Sequence, residues 1–83
     1  MNTHIFNKEG GFYRSGRDLR TVMYHAKKRK VKSIVMKAED SKTYAVMVLM
    51  EFMDGFSARY NFASVSICKE FHEKRWPNLI KFI

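Results

Sequence analysis

The chain has 83 residues, 46% of them hydrophobic, which indicates one globular domain and excludes both a disordered chain and two independent cores. Its single cysteine excludes an intramolecular disulfide, and no apolar run reaches the ~18 residues of a membrane span, so we expect a cytoplasmic protein without a membrane segment. Sixteen Lys and Arg against eight Asp and Glu give a net charge of +8, which favours an anionic partner.

Residues 1–14 are expected to form a strand and a turn. Ile5 and Phe6 fit a short strand, and Gly10-Gly11 favours a turn because glycine tolerates positive φ. The following Phe12-Tyr13 either returns apolar area to the core or pairs with the strand as a hairpin.

A first helix is predicted over residues 15–29. Ser15 is a suitable N-cap, Asp18 suits the first turn, and the basic residues 27–30 suit the helix end. One apolar stripe has helical spacing and consists of Leu19, Val22, Met23 and Ala26.

Residues 31–63 are expected to form a three-stranded antiparallel meander. Asp54-Gly55 between apolar residues is typical of a two-residue type I′ hairpin turn, and residues 39–42 fit a polar turn of even length. The strands are Val31–Ala38, Thr43–Met53 and Phe56–Ala63.

These two turns fix which side chains share a face of the sheet. The face expected beneath the helices consists of Ile34, Met36, Met47, Leu49, Met53, Phe56, Tyr60 and Phe62. The second face consists of Val31, Val35, Tyr44, Val46, Val48, Met50 and Phe52. The second face is too apolar to lie in water, so we expect the C-terminal tail, a second copy of the chain or another protein to cover it.

A second helix is predicted over residues 65–76, with Ser64 or Ser66 as its N-cap and an inward stripe of Ile67, Cys68 and Phe71. Pro77 ends it, and residues 78–83 are an apolar tail that forms an edge strand or a flap. The predicted fold is a small α+β domain of order (β)-α-β-β-β-α, with a three- to four-stranded antiparallel sheet and helices on one face.

This order of elements resembles that of double-stranded-RNA-binding domains and, with an added helix, that of small ribonuclease toxins. The resemblance is confined to the order, because VSICKE at residues 65–70 lacks the basic signature with which the last helix clamps duplex RNA.

A cationic row on the first helix is the strongest functional signal. Spacings of three and four place Arg17, Arg20, Tyr24 and Lys28 on one exposed side. Cations with an interleaved aromatic suit phosphate neutralisation and base stacking, although a solvated helix face has the same pattern. We therefore predict a non-enzymatic module that binds nucleic acid or a nucleoprotein complex. The remaining contact candidates are Lys27, Arg29, Lys30 and Lys32.

Metal, cofactor and catalytic sites are not predicted. Cys68 and His72 have ligand spacing on a helix, but a tetrahedral site usually needs a second close pair. Ribonuclease chemistry using His25 or His72 with Arg17 and Arg20 stays open, but the spacing does not require it.

The alternative prediction is a protein-interaction module, a phage- or mobile-element-type inhibitor of a host nuclease, defence or polymerase complex. Its interface would use the sheet edge, the second sheet face or the basic helix, and the second face could also form a homodimer. The interface candidates are Tyr44, Val46, Val48, Met50, Phe52 and Trp76.

Overall fold

Two helices pack against one face of a six-stranded sheet. A computed structural model of the chain describes residues 3–17, 19–39 and 45–83. The elements in chain order are β1 (Thr3–Phe6), β2 (Phe12–Gly16), α1 (Leu19–Arg29), β3 (Val31–Ala38), β4 (Val46–Phe52), β5 (Ser57–Phe62), α2 (Val65–Arg75) and β6 (Ile80–Phe82).

The sheet has the strand order β2-β1-β5-β4-β3-β6 and is mixed, because β6 pairs with β3 in parallel. The α+β class is confirmed, whereas the expected three to four antiparallel strands are too few. β1 and β2 form a hairpin that extends the sheet beside β5. The C-terminal tail is an edge strand and not a flap, since the N–H of Ile83 donates to the carbonyl of Met36 at 2.9 Å.

The turn between β4 and β5 differs from the predicted two-residue type I′ turn. The N–H of Phe52 donates to the carbonyl of Phe56 at 2.8 Å, which leaves a three-residue loop, Met53–Gly55. Within this loop only Gly55 has positive φ, at 90°, as in a type I turn followed by a left-handed residue. The loop shifts the register by one residue and places Val48, rather than Leu49, opposite Tyr60.

This shift turns every side chain of β4 to the other face of the sheet relative to β5, and the pairing of Ala38 with Val46 does the same relative to β3, where an even-length turn was expected. Ile34, Met36, Tyr60 and Phe62 lie in the core as predicted, but Met47 and Leu49 point away from the helices. The second face was expected to be an interaction or dimer surface. This prediction is wrong for four of its residues, which are buried beneath the helices. Tyr44 lies outside the described residues. The four are Val46, Val48, Met50 and Phe52.

Helix α1 begins four residues later than predicted. Ser15 is not its N-cap but belongs to β2, where it pairs with His4, and Asp18 lies outside the described residues. The pairing of β2 with β1 keeps Ser15 extended, so Ser15 cannot cap the helix. The predicted apolar stripe is confirmed at Val22 and Ala26, which are buried.

Helix α2 follows its local signals at both ends. The Ser64 hydroxyl accepts a hydrogen bond from the N–H of Ile67 at 3.3 Å, which confirms the predicted N-cap. The helix stops before Pro77. Ile67 itself is exposed, because the inward row of α2 is formed by Cys68 and His72, one helical turn apart.

His72 forms a buried hydrogen-bond chain between α2 and β5. Its Nδ1–H donates to the Cys68 carbonyl at 2.7 Å, so Nε2 is unprotonated and accepts from the Tyr60 hydroxyl at 2.6 Å. Burial lowers the pKa of His72 and raises the pKa of the Cys68 thiol to about 11. These groups satisfy one another inside the core and hold α2 on the sheet.

Candidate nucleic-acid interface

The outer side of α1 carries an exposed row of cations. Arg20, Tyr24, Lys27 and Lys28 recur at helical spacing and all are exposed, as the sequence predicts. The sequence of α1 contains no Asp or Glu. All the charged side chains that α1 itself contributes to this surface are therefore cationic.

An open groove of about 500 Å³ lies between α1 and the edge strand β2. Arg14 pairs with the buried Ile5 across the hairpin, which places its side chain on the helix side of the sheet. Arg14 and Arg20 therefore both line the groove. The complete lining is Arg14, Ser15, Arg20, Thr21, Tyr24 and His25.

The rings in this groove are arranged edge to face. Tyr24 is 57% exposed, and its ring stands perpendicular to the His25 ring at 5.1 Å between centroids. The ammonium of Lys28 lies 5.8 Å from the centre of the Tyr24 ring. Tyr24 thus presents an aromatic surface and a hydroxyl between cations, which suits a ligand with both a phosphate and a base.

His25 is buried behind the groove and neutral at pH 7. Arg29 donates from Nε to Nδ1 of His25 at 3.2 Å, so the imidazole proton is on Nε2. Burial lowers the pKa of His25, and the positive charges of Arg29, Arg14 and Lys28 lower it further. His25 is therefore a neutral member of the groove lining.

Arg29 has a different role from the phosphate contact that the sequence suggests. Its Nη1 lies 2.6 Å from Oδ2 of Asp54, and its guanidinium stacks 3.7 Å from the centre of the Phe56 ring. Only 10% of its side chain is exposed. The ion pair and the stacking engage Arg29 with the β4–β5 turn, so we replace it with Arg14 in the candidate site.

The remaining predicted contacts flank the groove unevenly. Arg17 is exposed in the connection between β2 and α1. Lys30 and Lys32 are exposed beyond the other end of α1, where Lys30 has a left-handed backbone with φ 65°. The structure therefore brings Arg14 together with the outer row of α1, which consists of Arg20, Tyr24, Lys27 and Lys28. It leaves Arg17, Lys30 and Lys32 at the periphery.

Sequence reasoning missed Arg14, although a signal was available. If Phe12-Tyr13 pairs with β1 as a hairpin, one of the two expected alternatives, strand alternation brings the next residues into the same sheet. Arg14 then lies beside the first helix. Choosing between the alternatives required the tertiary pairing of β1 with β5.

Trp76 is half-buried against the rings of α2. Its ring centroid lies 6.2 Å from that of Phe71 and 6.0 Å from that of His72. It also borders a smaller cleft of about 320 Å³ between the helices. The cleft is lined by Met23, Ala26, Lys27, Arg75 and Trp76.

Within residues 3–17, 19–39 and 45–83, no three His, Cys, Asp or Glu side chains gather as metal ligands would. None of the helices in these ranges is long and apolar enough to cross a membrane. The chain matches no family model, and no curated protein or solved structure shows significant similarity to it.

Proposed function

We propose that the protein binds nucleic acid, alone or within a nucleoprotein complex, through the α1 groove and the outer row of α1. The observation that supports this function is that two arginines and an exposed tyrosine line one open groove beside a helix whose own sequence contains no Asp or Glu. These residues are Arg14, Arg20 and Tyr24.

Each group has a definite task in this proposal. Arg14 and Arg20 donate to one phosphate, since a guanidinium fork matches phosphate oxygens. Lys27 and Lys28 neutralise the adjoining phosphates along α1, and Tyr24 stacks on a sugar or base. Contacts of this kind position the backbone and carry little sequence information, so binding is led by charge.

A salt titration tests the proposal directly. With about three phosphates neutralised, affinity should fall roughly 40-fold for duplex DNA, or roughly 20-fold for a single strand, between 50 and 200 mM salt. Fluorescence anisotropy with short labelled DNA and RNA measures this slope. An affinity that does not change with salt, or no binding at 50 mM salt, contradicts the proposal.

The site is located by charge reversal with a matched control. The double variant Arg20→Glu, Lys28→Glu removes two contacts and should flatten the salt slope by about two units. The control, Lys8→Glu with Lys74→Glu, changes the net charge equally at exposed positions outside α1 and outside the groove lining. Equal losses in the two variants would show that net charge, and not this site, governs binding.

The alternative function as an inhibitor of a host nuclease, defence or polymerase complex loses its main support. It depended on an open apolar sheet face that includes Val48 and Phe52, both of which lie in the core. The same burial removes the support for a homodimer through that face. We therefore keep nucleic-acid binding as the single proposed function.

A further inference from the structure

The face of the sheet that the helices leave open has its own chemical pattern. Residues paired across neighbouring strands share a face, and one such row crosses all six strands. From β2 to β6 it runs through Ser15, His4, Arg59, Leu49, Val35 and Lys81. The row is therefore cationic at Arg59 and Lys81 with an apolar middle.

One end of this face carries a cluster of exposed rings. Phe12 is 63% exposed, and its ring lies 6.4 Å from Phe6 and 6.3 Å from His4 between centroids. The guanidinium of Arg59 lies 5.3 Å from the centre of the Phe6 ring. Three rings and a guanidinium plane from three strands thus form one platform, which we call the ring platform: His4, Phe6, Phe12 and Arg59.

The charge of the open face indicates an anionic ligand. Strand register places Lys37 opposite Met47 and Lys81 beside Val35, so both belong to the same face as Arg59. Among the described residues that pair on the open face, Glu51 is the only acidic residue. A second copy docked on this face would bring like charges together, which disfavours self-association through it.

We infer that the ring platform binds unpaired bases, so that the nucleic acid of the proposed function is single-stranded; this inference rests on that function. Bases of a duplex are stacked on one another and their faces cannot reach a flat sheet, whereas unpaired bases stack on aromatic rings and guanidinium planes. The cations around the platform meet the phosphates of the same strand.

The position of the platform connects it to the α1 groove. Edge strand β2 carries Phe12 on the open face and Arg14 on the helix side, although they are only two residues apart, because the pairing of β1 with β2 shifts register between Ile5 and Phe6. A single strand that crosses the edge at β2 therefore passes from stacking contacts to phosphate contacts without leaving the protein. A duplex is too stiff to fold around an edge of this size.

The first experiment compares a labelled 12-nucleotide single strand with the duplex of the same sequence by fluorescence anisotropy. Phe12→Leu keeps the apolar character but removes the ring face, and its exposure leaves the fold intact, which circular dichroism checks. We expect single-strand affinity to fall roughly 5- to 150-fold. The Phe12→Trp variant should retain the affinity, because tryptophan also stacks.

Met53→Leu is the matched control, since Met53 is 66% exposed and belongs to the β4–β5 loop and not to the platform. It should leave single-strand affinity unchanged. The salt slope of Phe12→Leu should equal that of the wild type, because no charge is removed. Arg20→Glu, Lys28→Glu should lower the slope whether or not the platform binds bases.

The outcomes separate the two proposals. If the wild type binds neither strand nor duplex, the proposed function fails and the inference fails with it. If binding depends on Arg20 and Lys28 but Phe12→Leu binds as tightly as Met53→Leu, only the inference fails. A concentration-dependent dimer in analytical ultracentrifugation that Phe12→Leu dissociates would identify the platform as a contact between copies and also overturn the inference.

Discussion

Arg29 Nη1 donates a 2.6 Å hydrogen bond to Asp54 Oδ2 and thereby fastens the end of α1 to the turn between β4 and β5. The same carboxylate accepts from the N–H of Phe56 at 3.1 Å through its other oxygen. Although desolvation raises the pKa of Asp54, its hydrogen bonds with Arg29 and Phe56 lower it more, so the net shift is downward. One contact therefore orders the hairpin loop and positions the helix.

Replacing Arg29 with Lys should lower the free energy of unfolding by about 1 kcal/mol, because an ammonium cannot both stack on Phe56 and keep the hydrogen-bond geometry. Urea unfolding of Arg29→Lys measures the loss, with the exposed Lys27→Arg as a control that should be neutral. Because the pKa of Asp54 is lower in the folded chain, this ion pair contributes its full stabilisation above pH 3.8. The stabilisation is lost as the pH falls through the lower pKa of the folded state. An unchanged urea midpoint would show that the pair is not structural.

The two buried histidines should make the protein less stable in mild acid. Desolvation by burial lowers the pKa of His25 and of His72. The unfolded chain binds protons at these positions below about pH 6.5, and the folded chain does so only at lower pH. The free energy of unfolding therefore keeps its full value above pH 6.5. Below this pH it should decrease by up to about 1.4 kcal/mol per pH unit for each histidine.

Urea unfolding at pH 7.5 and 5.5 checks this expectation. His72→Gln should show a shallower decrease than the wild type, whatever its stability at pH 7.5. His4→Gln, at an exposed position, should keep the full decrease. Equal decreases in both variants would mean that His72 does not contribute.

Two neighbouring residues of β4 should lose different amounts of stability when each is replaced by a polar residue. Val48 is fully buried beneath the helices, so Val48→Asn places an amide in the core and should lower the free energy of unfolding by roughly 3 kcal/mol or more. Leu49 is half-buried on the open face, so Leu49→Asn should lower it by less than about half as much. Thermal unfolding of both variants decides between the two registers, because the predicted type I′ register reverses their order.

Lys30 closes α1 in a left-handed conformation, where its N–H donates to the Ala26 carbonyl at 3.0 Å. Lys30→Gly should raise the free energy of unfolding by about 1 kcal/mol, since glycine adopts positive φ without the Cβ clash. Lys30→Ala removes the same charge but retains the strain and should give no gain. A gain in both variants would indicate that charge repulsion, rather than backbone strain, acts at this position.

Local chemistry of the sequence determined several features by itself. The N-cap at Ser64 and the stop before Pro77 follow from backbone hydrogen bonding within one turn, and α2 has both. Strand alternation correctly grouped Ile34 with Met36 and Tyr60 with Phe62, and helical spacing predicted the exposed row that contains Arg20. Each of these depends on residues fewer than five positions apart.

Only the tertiary structure decided the face of β4, the strand partner of the C-terminal tail and the membership of the groove. Asp54-Gly55 is compatible with two-residue and three-residue loops that differ by one residue of register, and packing beneath the helices selects the loop that buries Val48. Arg14 reaches the groove, and Arg29 leaves it for Asp54, because separate elements meet in space. Such choices depend on contacts between distant residues, which no local pattern encodes.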